Sequence, residues 1–264
     1  MGLLLPFSVV IEPHSQLCIA GQASLSSPPQ LGDDVSSLLG VTKFEEPEPV
    51  CLGGDQERDP GLMPVYGMES YRKYRDVFVP GEMVTVSEKL HGCNFRAIHD
   101  GTRLWVGSHR TWKRPDSNDI WNRVAKAYNL EERLSRCPMI GLYGEVYGDV
   151  QDLKYGASSR QLELAIFDAY AASSSKKRFV HNEETALLCR REGLPMVPVL
   201  YEGPFNPALI EPLANGKTNL GGGHIREGIV IKSAYEQDHP QLGRKILKLV
   251  SENYLLRKNG TERH

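Results

Sequence analysis

The segment Glu88-Lys89-Leu90-His91-Gly92 brings an amine, a carboxylate and an imidazole together beside a glycine. Met83-Val84-Thr85-Val86-Ser87 alternates as a strand should, and Lys89 follows it directly. A lysine leaving a strand into a glycine turn can point its amine into a cleft without a long flexible approach. Such an amine could attack phosphorus once deprotonated. Its reference pKa of about 10.4 opposes that near neutrality, but nearby cations, a bound metal or desolvation lower it. Taken alone, Lys-x-x-Gly fits a solvated surface lysine better.

Four later segments carry further chemistry. Gly141 to Gly148 reads as a strand with Tyr143, Glu145 and Tyr147 on one face. Leu164-Ala165-Ile166-Phe167-Asp168-Ala169 is an apolar strand carrying an aromatic. Arg226-Glu227-Gly228-Ile229-Val230-Ile231-Lys232 opens on a carboxylate, and Lys245-Ile246-Leu247-Lys248-Leu249-Val250 embeds lysines in a strand. Each residue also has a plainer reading: a paired surface charge for Glu145, a core side chain for Phe167, a solvated carboxylate for Glu227 and an edge lysine for Lys248.

In this order, the five segments resemble the covalent nucleotidyltransferase superfamily of ATP-dependent polynucleotide ligases and mRNA capping enzymes. The resemblance covers roughly residues 85–255. DNA ligases and capping enzymes usually have an aspartate between the lysine and the glycine, where this chain has His91. Glu88-Lys89-Leu90-His91-Gly92-Cys93-Asn94 and Gly107-Ser108-His109-Arg110 look like the RNA ligases instead. Leu39-Gly40-Val41-Thr42-Lys43-Phe44-Glu45-Glu46-Pro47 is similar to the junction in RNA ligases that carry an N-terminal OB domain, the Deinococcus- and Naegleria-type enzymes.

The resemblance implies an RNA ligase using ATP with Mg²⁺ or Mn²⁺. Lys89 would take AMP from ATP, pass it to a 5′-phosphate end, and a 3′-hydroxyl would then displace AMP and seal the RNA or RNA-containing strand. It further implies that His91 helps the adenylate and strand end meet, and that Lys248 contacts the α-phosphate. Glu227 would engage the metal through water, because Mg²⁺ usually keeps several waters. Glu145 would bond the ribose, Phe167 would stack on adenine, and Arg110 would contact ribose or the 5′-phosphate, with Arg114 a weaker candidate. Asn94 would help place the phosphates. Glu88, Leu90 and Lys232 fall on nucleotide-binding positions. The chain departs from the pattern at Val250, where such ligases often have a second lysine. Lys245 is the nearest substitute, although alternation puts it on the opposite face from Lys248. By the same alternation Lys232 falls on the other face from Glu227.

The elements that must position these residues are mostly strands. Hydrophobic residues make up 40% of the 264, and charged residues 24%, enough for a packed core. The formal net charge of -2 excludes binding nucleic acid by bulk positive charge, so contact must come from a local patch. Five scattered cysteines without a C-x-x-C pair argue against a zinc site or disulfide framework and for a reducing, cytoplasmic location. No apolar run is long enough to span a bilayer, and a monomer is expected. Strands are predicted at 83–87, 104–106, 139–147, 162–169, 195–201, 225–233 and 245–250. Helices are predicted over 120–134 and 182–192, the second capped by Asn182 and ended by Gly193. The class is α+β: a nucleotidyltransferase domain of antiparallel sheets flanked by helices, with a short N-terminal β remnant. Residues 1–44 read as a partial OB-like segment, 45–64 as a linker and 65–264 as the nucleotidyltransferase domain. An OB domain needs about five strands, so residues 1–44 are expected to be a fragment that slows self-adenylylation. Two alternatives remain open: a DNA ligase or GTP-using capping-type guanylyltransferase, and a weakened nucleic-acid-binding relative.

Overall fold

The computed structural model describes residues 56–173, 177–258 and 260. The expected OB-like segment, 1–44, lies outside them. So does the first part of the expected linker, but its remainder is no free connector. Gln56–Glu57 (β1) pairs with Trp112–Lys113 (β6), and Met63 is buried. An aliphatic residue inside a Pro/Gly-rich stretch is what the composition reading passed over.

Two large sheets and a two-stranded ribbon, Asp238–His239 (β12) with Gly243–Arg244 (β13), make the domain. The larger has the order β1-β6-β5-β4-β7-β8-β9, with β4 at Cys93–His99, β5 at Leu104–Gly107, β7 at Ile140–Gly148, β8 at Leu162–Ala171 and β9 at Arg178–Phe179. The second has the order β10-β3-β11-β14-β2, from Val199–Pro204, Met83–Lys89, Gly228–Ser233, Ile246–Val250 and Glu69–Ser70 respectively. All its pairings are antiparallel except that of β2 with β14. The fold is therefore α+β with antiparallel sheets. Lys89 ends β3 rather than following it.

Helices cover one face of the larger sheet. Ile120–Ala127 (α1), Leu130–Ser135 (α2) and Asn182–Glu192 (α3) bury Trp121, Val124, Leu130, Leu134 and Cys189 against Phe95, Leu142, Val146 and Leu164. The single helix expected over 120–134 is two, because Asn129 takes a left-handed conformation at φ 51°. Asparagine tolerates that conformation better than most residues. The α3 helix spans the expected residues, with His181 rather than Asn182 at its N-cap and left-handed Gly193 at its end. One face of the second sheet buries Val84, Val86, Ile229, Ile231, Leu247 and Leu249 against Phe78, Phe205 and Ile210. Its other face meets the helix-free face of the larger sheet, where Ile246 packs with Tyr66 and Tyr143. Such strands, covered on both sides, read as near-continuous apolar runs. Among the described residues, no helix is long and apolar enough to cross a membrane.

Candidate active site between the two sheets

Cross-strand partners point to the same face of a sheet. Lys89 is opposite Gly228, which is opposite Val250, and Ser87, Val230 and Lys248 form the next row. Lys89 and Lys248 therefore share the face turned toward the larger sheet. There, Asn94 on β4 is opposite Glu145 on β7, which is opposite Ala165 on β8. Glu227 precedes β11, so strict alternation does not bind it. Its Oε1 lies 2.6 Å from the Lys89 Nζ.

These groups sense one another. Burial first, and then the charge of Glu227, pushes the Glu145 carboxyl up to about 8, against the pull of Lys89 and the Gly92 backbone N–H. Burial and the Lys89 charge both lower the pKa of Lys248. Buried Oε2 of Glu227 and Oδ1 of Asn94 have no hydrogen-bond partner among the described residues. A cleft with paired cations and spare acceptors is suited to phosphate, hydroxyl and hydrated-cation ligands. Among the described residues no three His, Cys, Asp or Glu side chains cluster as a metal cage. The acidic pair Glu145 and Glu227 fits a hydrated Mg²⁺ or Mn²⁺, which needs only one or two carboxylates beside phosphate and water.

Glu145 yields a stability test. Its folded pKa lies above the unfolded value, so the unfolded state alone ionises between about 4.5 and about 8. The carboxyl therefore destabilises the apo fold increasingly as pH rises through that window. Glu145→Gln should melt close to wild type at pH 4.5 and several degrees higher at pH 8. Thermal melts at both values check it, and an equal shift at both would contradict the cause given.

Gly92 is required for closeness, not for a left-handed turn. A methyl group at its Cα would overlap the Val146 carbonyl oxygen on β7, with the Glu145 Cγ 3.0 Å away. Backbone cannot yield as a side-chain end can. Gly92→Ala is expected to cost about 1–3 kcal/mol of stability and to displace Lys89, measurable as a lower Tm together with slower reaction at that amine.

His91 is 4% exposed and held at both ring nitrogens. Nε2 is 2.8 Å from Asp152 Oδ1, and Nδ1 is 2.8 Å from the Tyr254 hydroxyl. Its backbone N–H donates to the Tyr155 hydroxyl at 2.6 Å, and Gln151 Nε2 donates to the Gly92 carbonyl. Burial lowers the His91 pKa, partly opposed by Asp152. The imidazole is thus a strut of the turn.

Glu88 points to the opposite side of β3 from Lys89. Its Oε2 accepts from the Asn219 N–H at 2.9 Å and faces Arg226 Nε at 3.7 Å, while buried Oε1 has no partner among the described residues. Leu90 packs with Tyr155, Ala165 and Val197, joined by Phe167. The β7–β8 register slips where Tyr143 opposes Asp168 but Gly144 opposes Ile166. Phe167 is the bulged residue, re-aimed as bulges do beside sites.

Lys232 and Arg110 are also expected in the site. Lys232 shares the Lys89 face, but its amine is 2.8 Å from buried Asp168 Oδ1, whose other oxygen meets Arg244 at 2.8 Å and the Tyr66 hydroxyl at 2.8 Å. Burial would raise the Asp168 carboxyl, yet Lys232 and Arg244 hold it below the usual range. Lys232 is a bolt between the sheets. Arg110 is exposed in the turn joining β5 to β6, and Arg114 pairs with exposed Asp116 at 3.4 Å. Lys245 pairs with Glu82 at 2.6 Å, so it does not replace the lysine missing at Val250. Asp152, Tyr155, Asp168 and Tyr254 escaped the sequence reading. Only Asp168, beside Phe167 in an apolar strand, carried a signal: a carboxylate there needs a buried cation.

The RNA ligase family model matches residues 82–250, more than half of the chain. The chain belongs to the RNA ligase family. By that membership it is a polynucleotide ligase. Among solved structures, it is similar to a Naegleria gruberi RNA ligase mutant with ATP and Mn, at 21% identity and TM-score 0.68, covering 86% of this chain and 68% of that one. The same ligase with PPi matches at 22% identity and TM-score 0.67, over 86% and 67% of the two chains. A further mutant with AMP and Mn matches at 21% and 0.68, over 86% and 67%. These likenesses show that the RNA ligase shares its fold with the Naegleria enzyme. Comparison with curated protein sequences gave no match.

Proposed function

We propose that this RNA ligase carries AMP on Lys89 and uses it to seal RNA ends. The observation that carries the reading is the amine of Lys89, held 2.6 Å from Glu227 in a cleft that also presents Lys248 and Glu145. Lys89 Nζ, having lost its proton, attacks the α-phosphorus of ATP. A P–N bond forms, and the bond to pyrophosphate breaks. The lysyl-bound AMP passes to a 5′-phosphate, and a 3′-hydroxyl then displaces AMP as the phosphodiester forms. Glu227 orients the Lys89 amine. Lys248 faces the α-phosphate and offsets its growing negative charge. Glu145 meets the ribose hydroxyls, Asn94 the phosphates, and Phe167 with Leu90 the base. The spare Glu88 Oε1 accepts from the adenine amino group, whereas guanine would present an oxygen there. A divalent metal, held through water by Glu227 and Glu145, would supply charge neutralisation at the phosphates. The ATP, Mn, AMP and PPi in the Naegleria ligase structures support this nucleotide and metal.

Incubation with α-labelled ATP or GTP tests the proposal. Label is expected on the protein from ATP and not GTP, followed by joining of 5′-phosphate and 3′-hydroxyl RNA ends. Label from GTP alone would favour a capping-type guanylyltransferase instead.

A further inference from the structure

The His91 ring is clamped by two side chains from distant parts of the chain. Asp152 belongs to the segment after β7. Tyr254 lies in the short helix Glu252–Leu255 (α4), beyond residue 250, where the family match ends. The clamp is itself braced. Arg257 Nε is 3.2 Å from Asp152 Oδ2, its guanidinium lies 3.5 Å over the Tyr254 ring, and its Nη1 donates to the Tyr254 carbonyl at 2.9 Å. A carboxylate only accepts, so Nε2 of His91 carries the proton and Nδ1 accepts from the Tyr254 hydroxyl. With both nitrogens engaged, the imidazole transmits position rather than protons. What it positions is the Leu90–Gly92 turn, which the Tyr155 hydroxyl and Gln151 pin from the other side.

We propose that Asp152 and Tyr254 are positioning residues that act through His91 to hold the Lys89 amine for nucleotidyl transfer. The choice of assay rests on the reading of Lys89 as the AMP carrier. The clamp itself does not, because it can be read spectroscopically.

The test is a double-mutant cycle on the full chain. Single-turnover rates of lysyl-AMP formation are compared for wild type, Tyr254→Phe, His91→Ala and the double variant. Tyr254→Phe is expected to slow the step by about fivefold to tenfold, the scale of one hydrogen bond. In the His91→Ala background it should add nothing further, because its route to Lys89 is already cut. Losses that multiply in the double variant, or a Tyr254→Phe rate equal to wild type, would overturn the proposal. Imidazole ¹⁵N NMR gives a second reading. Wild-type His91 should be the neutral Nε2–H tautomer, Tyr254→Phe should shift its Nδ1 resonance, and Asp152→Asn should mix the tautomers. An unchanged His91 spectrum in both variants would refute the clamp. Absence of any lysyl-AMP in wild type would instead sink the carrier reading, leaving NMR to decide the clamp.

Discussion

Lys89→Ala is expected to abolish covalent attachment of AMP to the protein, by at least about a thousandfold, the scale on which enzymes lose rate when a nucleophile is removed. The loss follows from position as much as from chemistry. Lys89 ends β3 opposite Gly228, and its amine is held at 2.6 Å by Glu227. Joining of a strand that already carries AMP on its 5′-phosphate bypasses the lysine. That reaction should stay within about tenfold of wild type, because binding and orientation of the ends persist. The substitution leaves Glu227, with 9% side-chain exposure, without its cation. A lowered Tm is therefore the expected stability effect, since removing one partner leaves a buried carboxylate unpaired. The contrast between the two substrates, measured in one gel assay, separates a lost nucleophile from a lost fold.

Lys248→Ala is expected to slow lysyl-AMP formation by about a hundredfold to a thousandfold, the usual effect of removing one preorganised group that stabilises transition-state charge. Lys248 is half-buried, and burial and the Lys89 charge both depress its pKa. A lysine so placed favours the folded state less when charged than a solvated one would. Its removal should leave stability unchanged or raise it, while activity falls. In wild type, the contribution of Lys248 is present while the amine is protonated and fades as pH rises through its lowered pKa. Lys248→Arg should restore charge but only part of the rate, because the guanidinium fork does not occupy the space of an ammonium. Single-turnover kinetics across pH, with melts on the same preparations, check all four statements.

The strands were legible because their residues obey one period. Alternation in Met83–Ser87 and the apolar runs around Ile229 and Leu247 are what central strands covered on both faces produce. Lys89, Glu145, Glu227 and Lys248 could be picked out because motif order follows the chain, and the structure gathers them in one cleft. Contacts that join distant segments were not legible. Lys232 reaches Asp168 across the cleft, a partnership that no local period records. Phe167 depends on a one-residue register slip, and slips leave no mark in composition. Gly92 was noticed for the right position and the wrong reason, since proximity to Val146 belongs to the tertiary fold. His91 shows the same limit more sharply: the resemblance implied that it helps the adenylate and strand end meet, while the partners that hold its two ring nitrogens come from distant segments that no local pattern records.

Intact mass spectrometry of the full chain after incubation with ATP and Mg²⁺ or Mn²⁺, with peptide mapping, tests the carrier role of Lys89 most directly. The expected result is a single added AMP, located on Lys89, discharged by pyrophosphate and absent from Lys89→Ala. An unmodified protein, or AMP on another residue that persists in Lys89→Ala, would contradict it.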